Sequence, residues 1–92
     1  MAKTTTAYTT KYIETIIISF EKNFQIFHNT KLIRVKDKKT NLLVMVDFMP
    51  TLGELIDGTI EVVSKDDSVK FENVSGFYVV ENNVFKLLLK EE

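Results

Sequence analysis

The chain has 92 residues, of which 45% are hydrophobic and 27% charged, with no cysteine, no tryptophan and a formal net charge of -1. This length supports one hydrophobic core, and we predict a single domain over residues 11–90 behind a flexible tail, residues 1–10. Without cysteine the chain can form neither a disulfide framework nor a thiolate metal site. It shows no apolar segment typical of a signal peptide or a membrane span, so we expect a soluble cytoplasmic protein.

The two halves of the sequence carry opposite charge. Residues 1–46 contain eight Lys or Arg against three acids, a balance of +5, whereas residues 47–92 contain four Lys against ten acids, a balance of -6. One side of the protein could therefore hold a polyanion that the other side repels, or the two halves could be complementary to each other or to a partner.

The first half of the chain predicts three strands. Residues 12–20 are rich in β-branched and aromatic side chains, which favour a strand, and residues 31–37 alternate as a half-exposed strand does. Residues 38–41 are typical of a hairpin turn, and this turn makes the second and third strands an antiparallel pair. Residues 42–49 are apolar except for Asp47, which predicts a central strand covered on both faces.

The second half predicts one helical turn and further short strands. Pro50 ends the preceding strand, and Thr51 with Glu54 has the spacing of a capping box, so a helical turn is expected through Leu55. The predicted strands are residues 59–63, 68–71, 76–80 and 84–89. The last two flank residues 81–83, which predict a compact hairpin loop.

This order of short strands predicts an all-β protein, a small antiparallel barrel of five or six strands with one short helical turn. Residues 55–62, Leu-Ile-Asp-Gly-Thr-Ile-Glu-Val, resemble the glycine-led fourth strand of OB-fold proteins. Residues 74–89 are similar to their closing strand, turn and strand. The resemblance is to single-strand-binding proteins, to the small subunits of replication protein A, and to small OB-like accessory subunits of archaeal-type DNA polymerase complexes. A barrel of the SH3 or Sm-like kind is the alternative.

Residues suited to catalysis are few. His28 is the sole histidine, and the acid pairs at 66–67 and 91–92 fall in a predicted turn and at the terminus, where carboxylates are usually solvated. The three glycines are isolated and form no phosphate-binding loop. We therefore expect a protein that is not an enzyme and that holds no metal and no cofactor.

A nucleic-acid surface is implied by the OB-fold resemblance, because oligonucleotides cross strands two and three and the adjoining loops of that fold. Five of the six basic residues in these regions lie within residues 31–39, and two phenylalanines in the first connection could stack on bases, unless they belong to the core. The residues assigned to nucleic acid are Lys22, Phe24, Phe27, Lys31, Arg34, Lys36, Lys38 and Lys39.

A protein partner is indicated by apolar residues on both faces of the last strands. Phe77, Phe85 and Leu87 are expected in the core, and the side chains assigned to a partner are Val63, Tyr78, Val84 and Leu88. The alternative is that another part of the chain covers them.

These observations favour a non-catalytic OB-fold subunit of a DNA replication, recombination or repair complex. It would act through protein contacts, with weak binding to single-stranded DNA or RNA and no contact with a membrane. The alternatives are an autonomous single-stranded DNA-binding protein and a structural or regulatory barrel that assembles with itself.

Overall fold

The computed structural model describes residues 12–19 and 23–90, without the side chains of residues 23 and 24, and the predicted tail lies outside this range. These residues form six strands and no helix, which confirms a small all-β barrel. No described segment is a helix long and apolar enough to cross a membrane. The strands are β1 (Ile13–Ser19), β2 (Asn23–Lys36), β3 (Asn41–Met45), β4 (Thr51–Ser64), β5 (Ser68–Glu81) and β6 (Val84–Leu89).

Five of the strands close into a ring. β1 pairs with β2, β2 with β4, β4 with β5 and β5 with β6, all antiparallel, and a parallel pairing between β6 and β1 closes the barrel. β3 pairs with β2 outside this ring, as the predicted hairpin requires. β2, β4 and β5 have 14 residues each, so each contributes to two regions of the sheet.

The core is formed by inward side chains of the ring and by Val44 of β3, and it follows the alternation of each strand. Phe85 and Leu87 of β6 point inward and are fully buried, and the ring of Phe85 stacks on Tyr78 with the centroids 6.0 Å apart. Each such side chain contributes about 1.5–3 kcal/mol by leaving water. The other buried apolar side chains are Ile13, Ile17, Ile33, Val35, Val44, Leu55, Ile60, Val62 and Val80.

The prediction of a helical turn after Pro50 is wrong. Residues 51–55 begin β4 and pair in order with residues 80–76 of β5. Leu52 points outward and Leu55 points inward. Two residues three positions apart lie on opposite faces of a strand, whereas in a helix they would lie on the same side. Gly53 lies directly under the ring of Tyr78. The capping-box spacing is a local signal, and here the pairing with β5 overrides it.

The third strand is shorter and more exposed than predicted. β3 has five residues and is an edge strand, since it pairs with β2 alone among the described strands. It is therefore not a central strand, and Leu43 and Met45 are 44% and 50% exposed. Asp47 has a φ of 67° and follows β3 in a turn that ends the strand before Pro50.

The predicted strands at 68–71 and 76–80 are two parts of β5. Irregular pairing with β4 around Gly58 joins them, and Asp57 and Asn73 have positive φ angles of 48° and 58° there. The hairpin loop between β5 and β6 is confirmed: Asn82 and Asn83 both have positive φ, which is the conformation of a two-residue type I′ turn.

Asp37 ties the β2–β3 turn to the irregular part of β4. Its Oδ1 accepts hydrogen bonds from the backbone N–H groups of Lys39 (2.8 Å) and Thr40 (2.7 Å), and its Oδ2 accepts one from Ile56 (3.0 Å). The hydrogen bond from Ile56 has the largest effect on the pKa of Asp37 and lowers it. Desolvation opposes this effect, and the hydrogen bonds from Lys39 and Thr40 add to the lowering, so the pKa lies below its usual value. Burial, and then the charge of Asp37, raises the pKa of Tyr78.

The lowered pKa of Asp37 predicts an acid-sensitive contribution to stability. A carboxyl group with a depressed folded-state pKa stabilises the fold above its unfolded pKa of about 3.9 and loses this contribution as the pH falls through the folded value. Asp37→Asn should therefore reduce the fall in unfolding free energy below about pH 4, measured by urea titration at several pH values. An acid slope identical to that of the wild type would contradict the assignment.

Candidate docking face

The outward side chains of one side of the barrel are aligned by strand register. Leu52 of β4 lies opposite Val79 of β5. Phe77 of β5 lies opposite Leu88 of β6, and Leu88 lies opposite Ile18 of β1. Because facing residues on adjacent strands have Cβ atoms about 4.5–5.5 Å apart, these rows form one continuous surface.

This surface is apolar, and we call it the apolar face. Its exposed members range from 37% exposure at Val79 to 77% at Leu52, while Ile16 is half-buried. A contiguous apolar surface on a small soluble domain marks an interaction site, whereas single exposed apolar residues do not. The apolar face consists of Ile16, Ile18, Ile26, Leu52, Phe77, Val79 and Leu88.

Two lysines lie on the same side of the barrel in different surroundings. Lys90 is at the rim, where its Nζ is 2.7 Å from the Glu54 carboxylate and 4.9 Å from the centroid of the Phe77 ring. Lys86 lies within the apolar face, because the register places it between Val79 and Ile16. It lines a shallow depression of about 420 Å³ together with both of those side chains.

The residues predicted to bind nucleic acid do not form one surface. Lys22 and the side chain of Phe24 lie outside the described residues. Phe27 packs against the core, with its ring edge-on to Phe71 at a centroid distance of 6.5 Å, and therefore offers no open stacking surface. The exposed basic residues of β2 and its following turn are Lys31, Arg34, Lys36, Lys38 and Lys39.

Acidic groups accompany the basic side chains of β2. Arg34 and Lys36 line a depression of about 620 Å³ on the side of the sheet formed by β2, β3, β4 and β5, and Glu61 and Asp57 line it too. Arg34 Nε is 3.5 Å from the carboxylate of Glu61, the residue of β4 that lies opposite Arg34 in the pairing with β2. The surface has mixed charge and does not form a continuous cationic track.

The residues predicted to bind a partner also lie in different parts of the structure. Leu88 is 49% exposed and belongs to the apolar face, and Val84 lies half-buried on the same strand. Val63 is half-buried on β4, at a register position opposite Leu32 of β2. Tyr78 is 3% exposed and belongs to the core.

The inward and outward sides of β5 were therefore assigned the wrong way round. Tyr78 was expected outside and Phe77 inside, whereas Phe77 is 46% exposed. The strand carries apolar residues on both sides, so alternation alone does not say which side faces the core. Sequence reasoning also missed Leu52 and Val79, and continuing the strand alternation from β4 back to Thr51 would have found Leu52.

No metal centre is built by the side chains of residues 12–19 and 25–90: no group of three His, Asp or Glu residues has the arrangement needed to hold an ion. His28 is exposed on β2, and its Nδ1 is 3.0 Å from the Glu14 carboxylate of β1. This contact spans two paired strands at the barrel surface.

The fold resembles a chain of an ATP synthase. No family model and no curated protein matches the sequence. Among solved structures, the chain is similar to one in the cryo-EM structure of the central stalk and c-ring of the mitochondrial ATP synthase of Tetrahymena thermophila. The TM-score is 0.71 at 18% sequence identity, over 89% of this chain and 67% of that chain.

This comparison overturns the resemblance to OB-fold single-strand-binding proteins, replication protein A subunits and polymerase accessory subunits. A solved structure that shares this fold is a chain of a mitochondrial ATP synthase, so the prediction of a replication, recombination or repair subunit and the prediction of nucleic-acid partners are wrong. The resemblance rested on residues 55–62 and 74–89, which are parts of the β4–β5 and β5–β6 pairings. Such antiparallel pairings are common to many small barrels and carry no binding chemistry.

Proposed function

We propose that this chain is a non-catalytic subunit of a rotary ATP synthase, in which the apolar face docks against another subunit of the central stalk. The observation that carries the proposal is that face, which extends over β4, β5, β6, β1 and β2. The fold shared with a chain of an ATP synthase central stalk and c-ring structure supports the choice of complex.

A role in assembly fits the chemistry of the described side chains. Two described titratable groups have shifted pKa values: Asp37, which holds the β2–β3 turn by hydrogen bonds, and Tyr78, which lies in the core. Catalytic groups with shifted pKa values usually line a cleft together. The apolar face includes Phe77, which is 46% exposed, and buried aromatic side chains are common anchors of protein interfaces.

Co-purification tests the proposal. An affinity-tagged copy should replace the natural chain in its source organism, and the recovered subunits should be identified by mass spectrometry. We expect the wild type to recover the ATP synthase, and Leu88→Glu to reduce that recovery by about tenfold because it places a charge in the apolar interface.

The matched control is Leu43→Glu, which makes the same change at a residue of similar exposure, 44% against 49%, on the outer side of β3. This variant should recover the ATP synthase as the wild type does. A wild-type chain that recovers no ATP synthase subunit, or equal losses in both variants, would contradict the proposal.

A further inference from the structure

We propose that the apolar face binds one amphipathic α-helix of a central-stalk subunit, which lies across the strands with a basic flank beside Glu81. This inference rests on the proposed function and adds the chemistry of the partner. It follows from the shape of the apolar face and from the charges along its two long borders.

The apolar face is a narrow band that runs across the strands. Its side chains form two rows, each made of residues that lie opposite one another in adjacent strands. The first row crosses five strands and consists of Leu52, Val79, Lys86, Ile16 and Ile26. The second row consists of Phe77, Leu88 and Ile18. Because neighbouring strands lie about 4.8 Å apart and rows two residues apart about 6.7 Å, the band is about 19 Å long and two side chains wide.

Charged side chains border the band on both long sides. Along one side, Glu81 lies opposite Val84, and Val84 lies opposite Glu14. Along the other side, Lys90 Nζ is 2.7 Å from the Glu54 carboxylate. A partner surface wider than the band would remove these charged groups from water, which is costly. The borders therefore favour a narrow occupant.

An α-helix has the dimensions of the band. An amphipathic helix is about 10 Å across and presents one apolar stripe along its length. At a rise of 1.5 Å per residue, about 13 helical residues span about 19 Å. An extended strand would span the same distance with about six residues, and only about three of their side chains would face the band because successive side chains alternate. The helix covers both rows and leaves both borders in water.

The charges along the Glu81 border determine which flank the helix presents there. Glu81 and Glu14 line one depression of about 420 Å³ together with Lys86, so this border has two carboxylates and one ammonium group. Among the ion pairs of the described residues, Glu14 is bound to His28 and none engages Glu81. Lys or Arg on the adjacent flank of the helix would be attracted to this border, and an acidic flank would be repelled.

Photo-cross-linking from the two ends of the first row tests for the helix. A short-reach diazirine amino acid replaces Leu52 in one tagged variant and Ile26 in another, and each variant is purified within the ATP synthase of the source organism before irradiation. Mass spectrometry identifies the cross-linked residues of the partner. We expect both positions to cross-link to one segment of one stalk subunit, at residues about 13 apart.

Other cross-linking patterns would overturn the helix. A separation of about six residues would mean an extended strand. Cross-links to two different segments, or none from either position in a complex that contains the variant, would mean that no single helix lies across the band. In each of these cases the proposed function stands, since the chain is in the complex. A wild-type chain that recovers no ATP synthase would overturn the proposed function as well.

Glu81→Lys tests the basic flank. The measurement is binding of the purified chain to immobilised ATP synthase from a strain that lacks this chain. We expect Glu81→Lys to weaken binding about threefold or more, because it turns an attraction into a repulsion. Glu72→Lys is the matched control, since Glu72 is an exposed residue of the same strand that lies opposite Thr59, outside the apolar face. Equal binding of the two variants would overturn the basic flank. Thermal melting of each variant verifies that the barrel is folded.

Discussion

Phe85→Ala should lower the free energy of unfolding by about 3–5 kcal/mol, a large fraction of the total stability of a domain this small. Phe85 is fully buried, and its ring stacks on Tyr78 in the middle of the core. Alanine would leave a cavity that the closed ring of strands cannot fill without breaking backbone pairing. Urea denaturation followed by circular dichroism measures the loss.

Phe77→Ala is the matched control for this prediction, because Phe77 has the same side chain on the opposite side of the sheet and is 46% exposed. We expect its unfolding free energy to change by about 1 kcal/mol or less, the size of its contact with Lys90. Binding to the ATP synthase should fall instead. The outcome that contradicts the assignment of core and docking face is a larger loss of stability in Phe77→Ala than in Phe85→Ala.

The existence and order of most strands could be predicted from the sequence, because alternation and turn residues are local signals. Asn82 and Asn83 tolerate positive φ, and they form the tight turn that their position indicates. Asp57 and Asn73 have the same tolerance but lie within long strands, at the irregular pairing of β4 with β5. A turn and a bulge use the same residue types, so the sequence predicted two strands where the structure has the single strand β5.

The orientation of β5 required information from the neighbouring strand. Gly53 leaves space under the ring of Tyr78, and this space makes Tyr78 and not Phe77 the inward aromatic residue. Gly53 and Tyr78 come together only when β4 and β5 pair, so the sequence alone does not show this contact. Leu88 was assigned to a partner from the sequence, but the extent of the apolar face could not be predicted for the same reason, since the face is formed by register across β4, β5, β6, β1 and β2.

The Thr15 and Thr30 pair gives the second large effect on stability, and the sequence did not indicate it. Both side chains are fully buried, although threonine is more often exposed, and the Thr15 hydroxyl donates to the Thr30 hydroxyl oxygen over 3.1 Å. The pair lies between β1 and β2, where the register shifts beside Ile13. It provides a polar contact across one of the pairings that close the barrel.

Thr15→Val and Thr30→Val should each cost about 1–3 kcal/mol, because either change leaves the remaining hydroxyl buried without this partner. The double variant replaces both hydroxyls by methyl groups of nearly the same shape, so its loss should be smaller than the sum of the two single losses. Urea unfolding of the four proteins measures this coupling. Strictly additive losses would contradict the pairing and would mean that each hydroxyl satisfies its hydrogen bonds elsewhere within its own strand.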